Sequence, residues 1–274
     1  RVYVLCPDQA TYRVTKRMVD VLGNQSAQKV DVIDFRGLLE RFYSRCGHRV
    51  EQVSEAAKLL LFSAAMIDSR ASLRTSDLLA GTHDISILES LVSAVDMLSA
   101  CDIDSSVLAK IASDTEEENP MLAGKLRDIG CIWDTYAALA EASNVEAAST
   151  LQLLSRWIGR DGFLDHTVWY VVDYNDLTTQ QHGILNQIIS LSDKVVVDLH
   201  CAGLSDTRDS SRLAVRTGQK ISMYCAENDI PVEATRTGDI STDAQPLRYM
   251  QEWLCDTSVA KPADFSPKGR IALY

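Results

Sequence analysis

No G-x-x-x-x-G-K-[ST] segment occurs anywhere in the 274 residues, which excludes triphosphate hydrolysis on a phosphate loop of this chain's own. No apolar run approaches the roughly 18 residues needed to span a bilayer, and no signal peptide opens the sequence. A soluble, cytoplasmic protein without membrane contact is the expectation. The seven cysteines, at positions 6, 46, 101, 131, 201, 225 and 255, never come within four residues of one another. Zinc and iron–sulfur spacings are therefore absent. Set in apolar contexts such as VYVLCP and DIGCIW, these cysteines read as reduced core thiols. Histidines 48, 83, 166, 182 and 200 show no metal spacing. His200 and Cys201 follow a strand-like run, and neighbours on a strand point to opposite faces, which argues against a nucleophile pair. Basic charge is also short. A formal net charge of −11 argues against a free-standing nucleic-acid binder that relies on overall attraction to phosphates.

What is present is unevenly spread. Up to Arg49 there are nine basic residues against five acidic ones, whereas Cys101 to Thr150 carries ten acidic against three basic. Five short runs rich in Val and Ile predict strands: VYVLC from Val2, VDVIDF from Val30, VWYVVD from Val168, KVVVDL from Lys194 and RIALY from Arg270. They are mostly continuous and separated by helix-length segments, a pattern that favours a parallel sheet covered on both faces. One helix is expected over Thr11 to Leu22, with Val14, Met18, Val19 and Leu22 inward and Gly23 as its stop. A second is capped by Thr178, with Ile184, Leu185, Ile188 and Ile189 inward. Between about Arg49 and Arg160 strand-like runs vanish and helical periodicity takes over, as in EAAKLLLFSAAMI, ISILESLVSAVDML and LRDIGCIWDTYAALAEA. The expected organisation is α/β over 1–48, a helical insertion over 49–164 and the remainder of the α/β domain over 165–274. The acidic SDTEEENP within the insertion reads as a solvated connection, or less simply as a partner-binding patch. Since RVYVLCP opens and GRIALY closes the chain inside strand-like runs, a piece of a longer protein is expected.

Three places carry candidate chemistry. In VWYVVDYNDLTTQQ, apolar residues run into Asp173, with Asp176 close behind. A carboxylate there holds magnesium beside a nucleotide phosphate or merely caps the strand. Tyr174 stands where a hydrolysing motor has its glutamate. CPDQATYR, from Cys6 to Arg13, offers backbone amides and the Thr11 hydroxyl to a phosphate, or is an ordinary helix start. DFRGLLERFYSR mingles Phe35, Phe42 and Tyr43 with Arg36, Arg41 and Arg45. That composition suits stacking and backbone contact with single strands, and suits an amphipathic helix with a basic outer face equally well.

Taken in order, these segments resemble the AddB (RexB) subunit of the bacterial AddAB helicase–nuclease, in its amino-terminal helicase-like region. VLCPDQATY resembles that family's V-P-E-Q-A-T-F, with Asp8 for Glu and Tyr12 for Phe. VDVIDFRGLLERF is similar to its second-strand segment ending S-F-x-R-L, and LRDIGCIWDTYAALAEA to the K-L-x-D-L-x-x-I-Y-x-x-Y helix of its insertion. VVDYNDLTTQQHGIL resembles I-D-G-F-Y-D-F-T-P-Q-E, one residue shorter. RLAVRTGQKISMYCAENDIPVEA is similar to the helix and strand that follow the fourth core strand.

The resemblance implies a RecA-like, P-loop helicase-type sheet with a large helical insertion, whose motor chemistry has decayed: the D-E-x-Q-D box has lost its glutamate, and no glutamine stands near DLHCAG for a γ-phosphate sensor. It implies a subunit of a double-strand-break repair machine that contacts single- and double-stranded DNA and reads the single-stranded Chi sequence. An AddA-type partner would supply ATP-driven translocation. Pro7, Gln9 and Thr11 would lie in one DNA-facing loop and Phe35 and Arg36 in a second, while Asp173 and Asp176 would mark a degenerate magnesium–nucleotide site. No cofactor belongs to this segment on that reading. ATP and magnesium would belong to the parent protein, and an iron–sulfur cluster to a separate carboxy-terminal nuclease domain. Two rival readings are an active superfamily 1 helicase motor fragment, completed by a phosphate loop upstream and taking its base from Asp176 or Glu227, and a scaffold that docks a partner without touching DNA.

Overall fold

Four of the Val- and Ile-rich runs form strands: β1 (Val2–Leu5), β2 (Val30–Ile33), β3 (Val168–Val171) and β4 (Lys194–Val197). The computed structural model describes residues 1–47, 53–74, 85–143, 148–201 and 203–235, so the fifth expected strand, at Arg270, lies outside the described residues. The four strands make one parallel sheet in the order β2-β1-β3-β4. Val2 of β1 stands opposite Val30 of β2, and the register continues to Leu5 opposite Ile33. Tyr3, Val4 and Leu5 are at most 1% exposed, as a strand covered on both faces requires. Burial lapses at the edge, where β4 alternates exposed and half-buried residues.

Nine α-helices accompany the sheet among the described residues: α1 (Asp8–Ala27), α2 (Phe35–Cys46), α3 (Glu55–Ser69), α4 (Ile85–Ala100), α5 (Ser105–Thr115), α6 (Pro120–Ala142), α7 (Thr150–Trp157), α8 (Thr179–Leu191) and α9 (Arg212–Glu227). The expected helix at Thr11 begins three residues earlier, at Asp8, and its apolar stripe is shallower than expected. Ala10 is its buried residue, and Leu22 is 44% exposed. Gly23 does break the helical geometry, with φ 74 and ψ 161, a conformation that costs glycine little. Beyond it, helical residues continue to Ala27. Thr178 caps α8 as expected. Its hydroxyl accepts from the Gln181 N–H while the Gln181 side chain accepts from the Thr178 N–H, a reciprocal capping box. The segment after α9 that the resemblance likens to a strand has no strand over 230–235.

Between β2 and β3 the described residues contain helices and no strand. Their core is built by Phe62 and Met66 of α3, Leu91, Val92 and Val95 of α4, and Ile132 and Tyr136 of α6. Phe62 and Tyr136 stack with ring centroids 4.1 Å apart and planes inclined by 17°. Asp128 of α6 is 2% exposed; its two carboxylate oxygens accept from the Arg74 N–H at 3.0 and 3.1 Å. The two ends of this helical stretch meet where Arg45 of α2 reaches Phe163. The Arg45 Nη1 donates to the Phe163 carbonyl at 2.9 Å, and the guanidinium lies 5.1 Å from the ring centroid.

The chain divides into two compact units, one of Arg1–Trp169 with Leu177–Val195, the other of Tyr170–Asp176 with Val196–Tyr274. In the second, α9 lies against the segment after β4 so closely that a Cβ on Gly218 would come within 2.5 Å of Leu204 Cδ2 and 2.8 Å of Leu199 Cδ1. The Thr217 hydroxyl donates to the Asn175 carbonyl at 3.1 Å.

Candidate functional site

In the first unit, β1 and β2 run parallel, so the loops leaving their carboxyl ends share one sheet edge. The Cys6 N–H donates to the Ile33 carbonyl at 3.0 Å and carries the pairing up to that edge. Pro7, Gln9 and Thr11 follow β1; Phe35 and Arg36 follow β2. The two helix starts differ. Asp34 caps α2, its Oδ1 accepting from the Gly37 N–H at 2.7 Å. That occupies an orphan donor and sets a carboxylate where an anion would sit. Pro7 caps α1 without any side-chain hydrogen bond. The Ala10 N–H donates to the Pro7 carbonyl at 2.8 Å, and the Asp8 and Gln9 amides stand at the positive end of the helix dipole without a side-chain cap. Gln9 is exposed and Thr11 half-buried. The Thr11 hydroxyl donates to the Asp8 carbonyl at 2.7 Å, so its proton is spent and its oxygen remains an acceptor. Asp8, exposed in the same turn, is the charge that opposes an anion here.

Phe35 is 6% exposed and belongs to the core, as does Phe42 at 0%. Of the two readings of DFRGLLERFYSR, the packing is that of an amphipathic helix. Arg41 pairs with Asp31 at 2.8 Å, Arg45 is held at Phe163, and Arg36 meets Glu40 at 3.6 Å with 81% of its side chain exposed. Phe35 has no open ring face to offer a base; Arg36 has a solvated guanidinium beside Glu40. The aromatic ring that does face water is Tyr12, 79% exposed and four residues past the start of α1. At 1.5 Å per residue it stands about 6 Å along the axis from the uncapped amides. Arg13, Lys16 and Arg17 are exposed on the same helix. Sequence reasoning passed over Tyr12 as a position in a motif, although an aromatic flanked by Thr11 and Arg13 on a helix with a polar outer face is a signal for an exposed ring.

In the second unit, Asp173 lies beyond the end of β3, not within it. It adopts φ 62, the left-handed region that an aspartate tolerates better than most residues. Its Oδ1 is 4.0 Å from His200 Nε2, and the His200 N–H donates to Asn175 Oδ1 at 3.4 Å. Asn175 thus ties the loop after β3 to the loop after β4, a role the sequence did not suggest. Asp176 is exposed. Asp173 thus offers one carboxylate beside an imidazole at the end of β3, and magnesium ordinarily takes one or two protein carboxylates together with waters and phosphate oxygens. Among the described residues no three His, Cys, Asp or Glu side chains cluster as a metal site. No helix of the described residues is long and apolar enough to cross a membrane.

Three relatives, each named as the B subunit of an ATP-dependent helicase/deoxyribonuclease, are similar to this chain along most of its length. The protein from Clostridium acetobutylicum is 21% identical over 233 residues, covering 84% of this chain and 20% of its own length. That from Clostridium tetani is 19% identical over 242 residues, 85% of this chain and 21% of its own. That from Acetivibrio thermocellus is 22% identical over 256 residues, 90% and 22%. The chain therefore spans about a fifth of the length of these relatives. A family model described as "ADDB, N-terminal" matches residues 1–251, and the chain belongs to that family.

Proposed function

We propose that the chain is the helicase-like, non-hydrolysing part of an AddB-type subunit, RecA-like in fold, with a helical insertion over 49–164 between sheet segments 1–48 and 165–274. It holds single-stranded DNA, Chi-bearing strands included, during recombinational repair of double-strand breaks. An AddA-type partner in a cytoplasmic heterodimer supplies ATP-driven translocation. The observation that carries this reading is the start of α1: Asp8 and Gln9 amides without a side-chain cap, exposed Gln9 and an open Tyr12 ring on a helix that also presents Arg13, Lys16 and Arg17. Amides and cations grip phosphate, and an aromatic face stacks any base. The basic excess before Arg49 concentrates this attraction locally despite the acidic whole. Of the two bases the motor reading calls on, Asp176 is exposed on its loop and Glu227 closes α9. The loss of the glutamate at Tyr174 supports a site that has stopped hydrolysing.

The test uses the intact two-subunit enzyme. Tyr12→Ala and Gln9→Ala should each weaken single-strand binding, the former by about 1–3 kcal/mol as for the loss of one stacked base, with ATP turnover unchanged. Unaltered DNA binding in both variants would favour the scaffold. DNA-stimulated ATP turnover by the purified 274-residue chain would favour the motor.

A further inference from the structure

In the second unit, one face of α9 is left to water. Arg212, Arg216 and Lys220 stand four residues apart and are all exposed, so they fall within about 80° of arc and rise in steps of about 6 Å. Leu213 and Met223, 47% and 60% exposed, share that face. On the opposite side Val215, Ile221 and Cys225 are buried, which fixes the direction in which the three cations stand.

The charge pattern works against the helix itself. Like charges four residues apart repel. Arg212 sets a cation in the first turn and Glu227 an anion in the last, each at the unfavourable end of the helix dipole. From Ser210 to Ala226 there is no acidic residue, in a chain with 38 acidic residues against 27 basic. Arg36, Arg41, Lys58, Arg127 and Arg208 each meet a carboxylate, whereas among the described residues Arg212, Arg216 and Lys220 meet none. A helix that breaks its own charge rules without an internal partner points to one outside.

We propose that this face of α9 binds the sugar–phosphate backbone of single-stranded DNA, with Arg212, Arg216 and Lys220 each reaching one phosphate. A row of cations at a constant step matches a polymer that repeats its anion at a constant step, and such contacts hold a strand without reading its bases. Leu213 and Met223 choose the single strand, because their apolar atoms gain by covering base faces that a duplex keeps inside its stack. A membrane surface is the wrong polyanion: the apolar side of α9 is already committed to the core and has none to insert. This second surface rests on the reading of the chain as a holder of single strands, and its failure is distinguishable from failure of the α1 site.

The experiment follows binding of the full chain to fluorescein-labelled oligothymidylate by anisotropy over a series of salt concentrations. Single strands release about 0.7 counterion per neutralised phosphate. Arg212→Gln, Arg216→Gln and Lys220→Gln should each lower the slope of log affinity against log salt by about 0.7, and the triple variant by about 2, with binding at low salt weakened roughly tenfold or more. Melting should be unchanged, since all three side chains are exposed. An abasic strand of the same length should respond to these substitutions as oligothymidylate does, whereas Tyr12→Ala should matter only where bases are present. A lowered slope in the triple variant beside an inert Tyr12→Ala would sink the α1 site and leave α9 standing. An unchanged slope in the triple variant, a larger loss on a duplex than on the single strand, displacement by polyglutamate as complete as by unlabelled oligothymidylate, or no binding by the unsubstituted chain at low salt would each overturn the α9 surface.

Discussion

The rings of Tyr3 and Trp169 stack with centroids 4.4 Å apart and planes inclined by 17°, joining β1 to its neighbour β3 at the centre of the sheet. Both are essentially inaccessible to water, and the Trp169 indole N–H is satisfied by the Thr167 hydroxyl at 2.9 Å. Trp169→Ala removes the stack and leaves a cavity. The expected loss is about 3–5 kcal/mol of unfolding free energy, read from urea melts followed by circular dichroism. Trp169→Phe keeps a ring in place and should cost markedly less.

The second aromatic pair makes stability depend on alkaline pH. Burial, with the carboxylates of Asp96 and Glu55 adding to it, pushes the Tyr136 hydroxyl from its usual 10.0 up to about 12. Between those values the unfolded chain has released this proton and the folded chain has kept it. The unfolded state therefore binds fewer protons, and stability falls as pH rises. A decline of up to about 2 kcal/mol is expected across that window. It should flatten in Tyr136→Phe, as denaturant melts at stepped pH would show.

Asp128 is buried, and its oxygens accept the backbone N–H of Arg74. Replacing it by Ala strands that N–H, and a loss of about 1–3 kcal/mol is expected. Asp128→Asn retains one acceptor oxygen and should cost less. The order Asp, Asn, Ala in midpoint denaturant concentration is the check, and equal midpoints for Asp and Ala would remove the bond from the account.

Tyr12 and Phe35 should part company under mutation. Tyr12→Ala, at a solvated ring, is expected to leave melting unchanged and to weaken oligonucleotide binding. Phe35→Ala, in the core, should cost about 3–5 kcal/mol of stability. Paired melting and fluorescence-anisotropy measurements separate the two, and destabilisation by Tyr12→Ala would place that ring in the wrong role.

At Gly218 the near atoms are the ends of two leucine side chains, which can turn away. Gly218→Ala should therefore be tolerated with a small loss. Gly218→Val, stiff at χ1 and larger, should cost about 1–3 kcal/mol through overpacking.

Much of the sheet was legible because its strands are short apolar runs bounded by polar residues: Val2, Val30, Val168 and Lys194 each open one. The helical character of the stretch before Val168 was equally plain from its periodicity. Strand ends were less so. VVD reads as continuous strand, yet β3 stops at Val171 and Asp173 turns left-handed. At the candidate interface the sequence named Phe35, which is buried, where Tyr12 is the exposed ring, because composition does not say which side of α2 faces the sheet. The buried amide oxygen of Gln180, which has no hydrogen-bond partner, was invisible, since only packing strands it.

The contact of Arg45 with Phe163 spans 118 residues and pinches the long helical excursion at its neck. Closing a chain over such a span costs entropy that grows only logarithmically, about 0.6 kcal/mol for each doubling. Once the neck is shut, lengthening or trimming the connections between the inner helices changes little that β1 and β2 can feel. Resizing those connections therefore leaves the neck itself, Arg45 against Phe163, in place.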